Sequence, residues 1–203
     1  MNRIASRPRE YRSALRESQA EETRVRILDA TLRVMAQGLA SLSVPAVARE
    51  AGVSVPTIYR HFRTKPDLLA AVYPHAARRA GLDAIADPRS LDELRPMIRA
   101  VIERLDALDD VSRATMASPA AAEVRHATMP TRYQRIGRFV DSIEPKLRKA
   151  DRDRVTRLLV VITASSSLRM WRDHLGLSAD EIAKEIDWIV RAAIFTCQER
   201  KKR

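Results

Sequence analysis

SVPAVAREAGVSVPTIYRHF, residues 43–62, decides the fold. It reads as two short helices joined by a tight turn. Ser43 is an N-cap residue, and Val44, Val47, Ala48 and Ala51 recur at the spacing of one helical face. Gly52 suits the left-handed position that ends a helix without a Cβ penalty. Ser54 then caps a second helix, in which Ile58 and Phe62, four apart, turn inward. Val55, Thr57, Tyr59, Arg60 and His61 remain on or near the outer face. A short helix that presents hydroxyls, an aromatic ring and a cation has what a helix in a DNA major groove requires.

The same device recurs just downstream. Ser43-x-Pro45, Ser54-x-Pro56 and Thr64-x-Pro66 each place proline two residues after a cap, where the missing N–H has no helical partner to lose. The cap hydroxyl must then bond the next N–H along. Thr64 and Asp67 form a variant capping box for a helix over about 65–80, with Lys65 at its start.

The ordered run Gly52-Val53-Ser54, Ile58-Tyr59-Arg60-His61-Phe62, Thr64-Lys65 and Leu68-Leu69 resembles the TetR family of bacterial transcriptional regulators, over roughly residues 20–75. The resemblance implies an all-α chain: an N-terminal three-helix DNA-binding domain with a helix-turn-helix, then an α-helical regulatory and dimerisation domain. It implies a double-stranded DNA operator as partner, a homodimer and a small-molecule effector, with repression as the family's usual mode. Carried onto this sequence, the DNA-facing set is Arg24, Ser43, Val55, Thr57, Tyr59, Arg60, His61 and Lys65, with Ser43 and Lys65 at phosphates. Pro56 departs from the pattern, because it puts a ring where a polar base contact would stand.

Composition agrees. Ala, Leu, Arg and Glu dominate the 203 residues and only five are Gly, which favours helices. Net charge is +11, and residues 1–80 carry 14 Lys/Arg against 7 Asp/Glu while residues 81–203 carry 23 against 19. The excess thus centres on the candidate reading element and favours a polyanionic partner. No apolar run is long enough for a membrane span, and the N-terminal residues lack a signal-peptide core. A single cysteine, Cys197, suits a cytoplasmic protein and reads as a small buried helix residue.

Taken in order, residues 1–18 carry five arginines and read as a flexible basic arm. Residues 19–80 form the DNA-binding domain, whose first helix covers 20–37 through Val25, Leu28, Leu32 and Met35 and is followed by a loop over 39–42. Residues 81–203 form the ligand-binding and dimerisation domain. Its expected helices are 90–108, 110–127, 130–149, 151–175 and 179–199, with kinks or breaks at Pro96, Pro119 and Pro145. Kinked helices suit the wall of a cavity, and the large apolar side chains nearby are Met97, Met116, Met129, Tyr133, Phe139, Met170 and Trp171. They mark the expected pocket for a largely apolar ligand, neutral or anionic. Leu158, Ile162, Ser166, Ile182, Ile186, Ile189 and Ala193 on the last two helices mark the dimer interface that the resemblance implies.

Competing chemistry lacks support. Glu123 and His126 make one Glu-x-x-His pair, whereas a helical di-iron site needs two with further carboxylates, so no metal and no cofactor is expected. Asp173 and His174 are adjacent and diverge on a helix. With no Gly-rich phosphate loop, no GxSxG and no cysteine pair, an enzyme is not expected. A non-specific DNA-packaging protein would leave about 120 residues unexplained, and a helical enzyme or sequestering protein lacks catalytic groups.

Overall fold

The computed structural model describes residues 7–38 and 42–202 of the chain. Among the described residues all regular structure is helical. The helices are α1 (Arg7–Ala36), α2 (Val44–Ala51), α3 (Val55–His61), α4 (Lys65–Arg79), α5 (Leu91–Asp106), α6 (Asp110–Ala117), α7 (Ala120–Ile143), α8 (Lys149–Ile162), α9 (Ser165–Arg169) and α10 (Ala179–Lys202). A short 3₁₀ turn, Leu82–Ala84, follows α4, and one turn of π-helix, Met170–His174, follows α9.

The chain packs as two compact units. One takes the chain up to His75 together with Asp110–Val124; the other takes Ala76–Asp109 and Arg125–Arg203. The sequence reading divides the chain after residue 80, whereas packing groups α6 and the first turn of α7 with the N-terminal unit. The reason is visible in α6: the buried Thr115 hydroxyl donates to Leu32 O of α1 at 2.9 Å. The basic arm expected over 1–18 is helical from Arg7 onward as part of α1, and the expectations for residues 1–6 and 39–41 fall outside the described residues.

In the N-terminal unit α1 supplies Ile27, Leu28, Leu32 and Met35 to the interior, α2 supplies Val44, Val47, Ala48 and Ala51, α3 supplies Ile58, and α4 supplies Leu68, Leu69 and Val72. Each of these side chains larger than alanine contributes about 1.5–3 kcal/mol when withdrawn from water. Polar contacts fix the helices in register. Arg33 Nε of α1 sits 2.6 Å from Glu50 Oε1 of α2. Buried His75 of α4 meets Asp29 Oδ1 of α1 at 2.7 Å through Nε2.

In the second unit α10 lies along α5 and α8. Leu94, Ile98 and Ile102, Val140, Val155 and Leu159, and Ile182, Ile186, Val190 and Ile194 form one apolar cluster. This corrects two interface assignments: Ile182 and Ile186 are fully buried inside the chain. Their i, i+4 stripe is taken up by the chain's own core, a use that the spacing cannot tell from a subunit seam.

Several helix limits also differ from expectation. Pro130 lies inside α7 and does not begin a helix. Pro145 falls in the link after Ile143 and ends α7 instead of kinking a longer one. Pro119 separates α6 from α7. The helix expected over 151–175 stops at Ile162, where Thr163 Oγ1 turns back to Leu159 O at 2.6 Å and Arg132 Nη2 of α7 takes Thr163 O at 2.8 Å. With that carbonyl drawn out of the helical ladder, the chain restarts at Ser165. Beyond the π-turn, Ser178 and Glu181 form the expected capping box on α10, with Ser178 N–H donating to Glu181 Oε2 at 2.8 Å.

Candidate nucleic-acid interface

The turn between α2 and α3 is built by its backbone. Gly52 has φ 64°, Gly52 N–H donates to Arg49 O at 3.2 Å and Val53 N–H to Ala48 O at 3.0 Å. These two bonds are the Schellman pair, and a side chain at Gly52 would be strained by the positive φ. Ser54 Oγ accepts the Thr57 N–H at 3.2 Å, one residue beyond Pro56, as the proline offset requires. Thr64 Oγ1 accepts Asp67 N–H at 3.2 Å while Asp67 Oδ2 accepts Thr64 N–H at 3.0 Å, closing the capping box of α4. Ser43 departs from the expected device: its backbone is extended, but its side chain makes no cap bond. Its hydroxyl is exposed at the start of α2.

The outer face of α3 carries the side chains that the sequence assigns to it. Tyr59 is 45% exposed, Arg60 is exposed, and Val55, Thr57 and His61 are partly covered. Ile58 and Phe62 point the other way and are buried. Pro56 is exposed beside them. The Thr57 hydroxyl is 2.8 Å from Ser54 Oγ, so it is already oriented by the cap. Burial, then the charges of Arg60 and Arg24, hold His61 below the usual imidazole value of 6.5.

Two of the assigned cations have internal partners. The Arg24 guanidinium lies 4.7 Å over the Phe62 ring, a cation–π contact that joins α1 to the end of α3. Lys65 Nζ lies 2.7 Å from Glu123 Oε2 of α7. The other oxygen, Oε1, accepts Leu42 N–H at 3.0 Å. Lys65 and, behind the burial that opposes them, the Leu42 bond keep the Glu123 carboxyl below its ordinary value. Sequence reading missed Glu123 in this role, because its partner Leu42 is 81 positions away. It also passed over Arg49 and Arg63, two exposed cations that flank the turn and the end of α3; their place beside the helix-turn-helix was the available signal.

The residues expected to form a ligand pocket differ in burial and in the unit they belong to. Met97, Phe139 and Trp171 pack at the edge of the second unit's core. Met129 and Met170 are exposed, Tyr133 is partly covered, and Met116 belongs to the N-terminal unit. Concavities of about 390 and 480 Å³ lie instead around Cys197, the first lined by Leu147, Arg148, Asp151 and Gln198, the second by Val155, Leu158, Ala193 and Thr196. Cys197 is buried, and that burial, with Asp151 nearby, pushes its thiol up and away from reactivity. Of the interface set, Leu158, Ile162, Ile189 and Ala193 are partly covered and Ser166 is exposed. No group of three or more metal-ligating side chains occurs among the described residues, and no described helix is long and apolar enough to cross a membrane.

Comparison with known proteins bears on this geometry. The family model for bacterial regulatory proteins, tetR family, matches residues 27–72, the stretch from mid-α1 to α4. The chain is 38% identical over 92 residues to the HTH-type transcriptional regulator SrpR of Pseudomonas putida, covering 45% of this chain and 42% of that one, so the match spans less than half the length of this relative. It is 28% identical over 189 residues to the HTH-type transcriptional repressor KstR of Mycolicibacterium smegmatis, covering 89% and 91%. In fold it is similar to the multidrug binding protein EbrR, solved in complex with imidazole, with a TM-score of 0.55 at 23% identity over 83% of this chain and 89% of that one. The named relatives are regulators, not enzymes. The matched segment, with its helix-turn-helix folded, is a domain of the tetR family of bacterial regulatory proteins.

Proposed function

We propose that this chain is a cytoplasmic transcriptional repressor that reads a near-palindromic operator as a homodimer and is released by a small ligand bound in its second unit. The observation that carries the reading is the outer face of α3: Tyr59 and Arg60 stand exposed on a helix held by a Schellman turn, a Ser54 cap and the Arg24–Phe62 contact. A rigid mount is what base readout needs, since base contacts specify while phosphate contacts position. Arg49, Arg63 and Lys65 supply cations around it.

Dimerisation is supported by α10 and α8. Trp188 is 67% and Phe195 is 63% exposed, and the two lie seven residues apart on one face of α10. Val161 of α8 is also exposed, near exposed Arg157, while exposed Glu185 flanks Trp188. A second copy, with the two helices antiparallel to their mates, would cover the apolar residues and pair the charges. Two reading helices would then lie about one DNA turn apart, roughly 34–36 Å. Helix α4 continues through the division at His75–Ala76, so a ligand that shifts its last turns would change that separation. The ligand must favour the released arrangement over the bound one. The imidazole complex of EbrR supports a ligand role for the fold.

The test is selection of binding sites from random DNA with the full chain, followed by sedimentation of the complex on the selected site. An inverted repeat bound by two copies is the expected result. Selection that returns no sequence preference would refute the repressor reading.

A further inference from the structure

Three ties close a triangle around the reading helix within the N-terminal unit. Helix α3 runs into α4 through residues 62–64, and the Thr64–Asp67 capping box fixes the start of α4. Arg24 of α1 lies 4.7 Å over the Phe62 ring at the end of α3. The third tie joins α4 back to α1, with His75 Nε2 2.7 Å from Asp29 Oδ1. A carboxylate oxygen only accepts, so the Nε2–H donates. His75 is buried, and with Leu68 and Val72 it continues the inward stripe of α4 at i, i+4 and i+7. It is also the last residue of α4 that packs in this unit. An apolar side chain would extend the stripe with no polar group to satisfy, so burial alone does not account for an imidazole there.

Pro74 has no N–H to offer Ala70 O, so α4 is least stiff one residue before the contact. Apolar contacts are non-directional. With those alone, α4 is free to swing about its capped start and to bend at Pro74. A hydrogen bond has a preferred length and angle, so it fixes the tilt of α4 on α1. Asp29 and Arg24 are five residues apart on α1, about 7.5 Å along one helix. What ties α4 to Asp29 therefore also sets α4 relative to the Arg24–Phe62 contact. Base readout requires side chains held to within about 0.5 Å. We propose that His75 and Asp29 are positioning residues that set the attitude of α3 through α1 and α4, and with it the selectivity of α3 among DNA sequences. The proposal rests on the reading of α3 as the base-reading helix.

The experiment uses the full chain in four variants. His75→Leu and Asp29→Ala remove the bond, whereas His75→Gln and Asp29→Asn keep a donor and an acceptor in place. Two quantities are read well below each melting temperature: hydrogen exchange at the α3 amides of the free chain, and the ratio of affinities for a selected operator and random DNA of equal length. His75→Leu and Asp29→Ala should each speed α3 exchange and lower the ratio about tenfold, the scale of one hydrogen bond to a charged group. Random-DNA affinity and exchange in α10 should stay at wild type, and so should both conservative variants throughout. Should His75→Leu fail to fold, Asp29→Ala, at a partly covered residue, carries the test. Four results would overturn the positioning role: wild-type α3 exchange or preference in the folded bond-breaking variants, equal losses on operator and random DNA, conservative variants as impaired as the others, or neither bond-breaking variant folding. A wild-type chain that prefers no sequence refutes the base-reading assignment instead, and α3 exchange then decides the pair by itself.

Discussion

Lys65 Nζ lies 2.7 Å from Glu123 Oε2, so the cation expected at a DNA phosphate is held by a carboxylate of α7 in the free chain. A phosphate must compete with that carboxylate, and Glu123 itself repels the DNA backbone. Glu123→Gln keeps an oxygen for the Leu42 N–H while removing the charge. It should tighten binding to all DNA sequences alike, by at most about fivefold for a pair this exposed. Lys65→Ala should weaken all sequences alike and lower the salt slope by about one. Fluorescence anisotropy on a selected site and on random DNA across a salt series checks both.

The same pair sets a pH dependence. Lys65 and the Leu42 N–H hold the folded-state Glu123 pKa below its ordinary 4.5, so the ionised form stabilises the fold. That contribution is complete above 4.5 and is lost as pH falls below it through the folded value. Urea midpoints of wild type and Glu123→Gln should therefore differ at pH 7 and converge in the acid range below 4.5. A constant difference would show that the pair does not couple to folding.

His61 should titrate below 6.5 in the free chain, and Arg60→Ala should move its midpoint upward, since Arg60 is the larger of the two charges that depress it. Proton NMR of the imidazole ring measures this directly.

The α2–α3–α4 segment was legible because its signals are local. Gly52 supports the Schellman turn, and Ser54, Thr64 and Asp67 bond the residues three positions away that proline spacing allows. The helices there begin and end where caps and prolines place them. The second unit was legible as helices but not in their limits or partners. Nothing local marks the break at Thr163, which depends on Arg132 arriving from α7. Ile182 and Ile186 have a spacing that serves a core or a seam equally well, and only the position of α5 and α8 decides. Ser43 caps in sequence but not in structure, and nothing in the structure explains why its hydroxyl stands apart.

Packing now separates core from candidate seam on α10. Ile182→Ala should cost about 2–5 kcal/mol of stability, as for other large-to-small changes in a closed core. Trp188→Glu should leave the fold intact, as judged by circular dichroism and melting, but yield a monomer in sedimentation. A folded, dimeric Trp188→Glu would place the seam elsewhere.

Ser54→Ala removes the acceptor for Thr57 N–H and the partner of its hydroxyl. It should cost about 1 kcal/mol in urea unfolding and should weaken selective binding more than non-specific binding, because it loosens the reading helix and leaves the cations in place.

The most direct measurement is the binding of Tyr59→Ala to the selected operator and to random DNA of equal length at one salt concentration. Tyr59 is exposed and its loss should not change the melting temperature. The prediction is a folded chain whose affinity for random DNA is unchanged and whose preference for the operator collapses. A variant that keeps the wild-type preference would contradict the assignment of α3 as the reading helix.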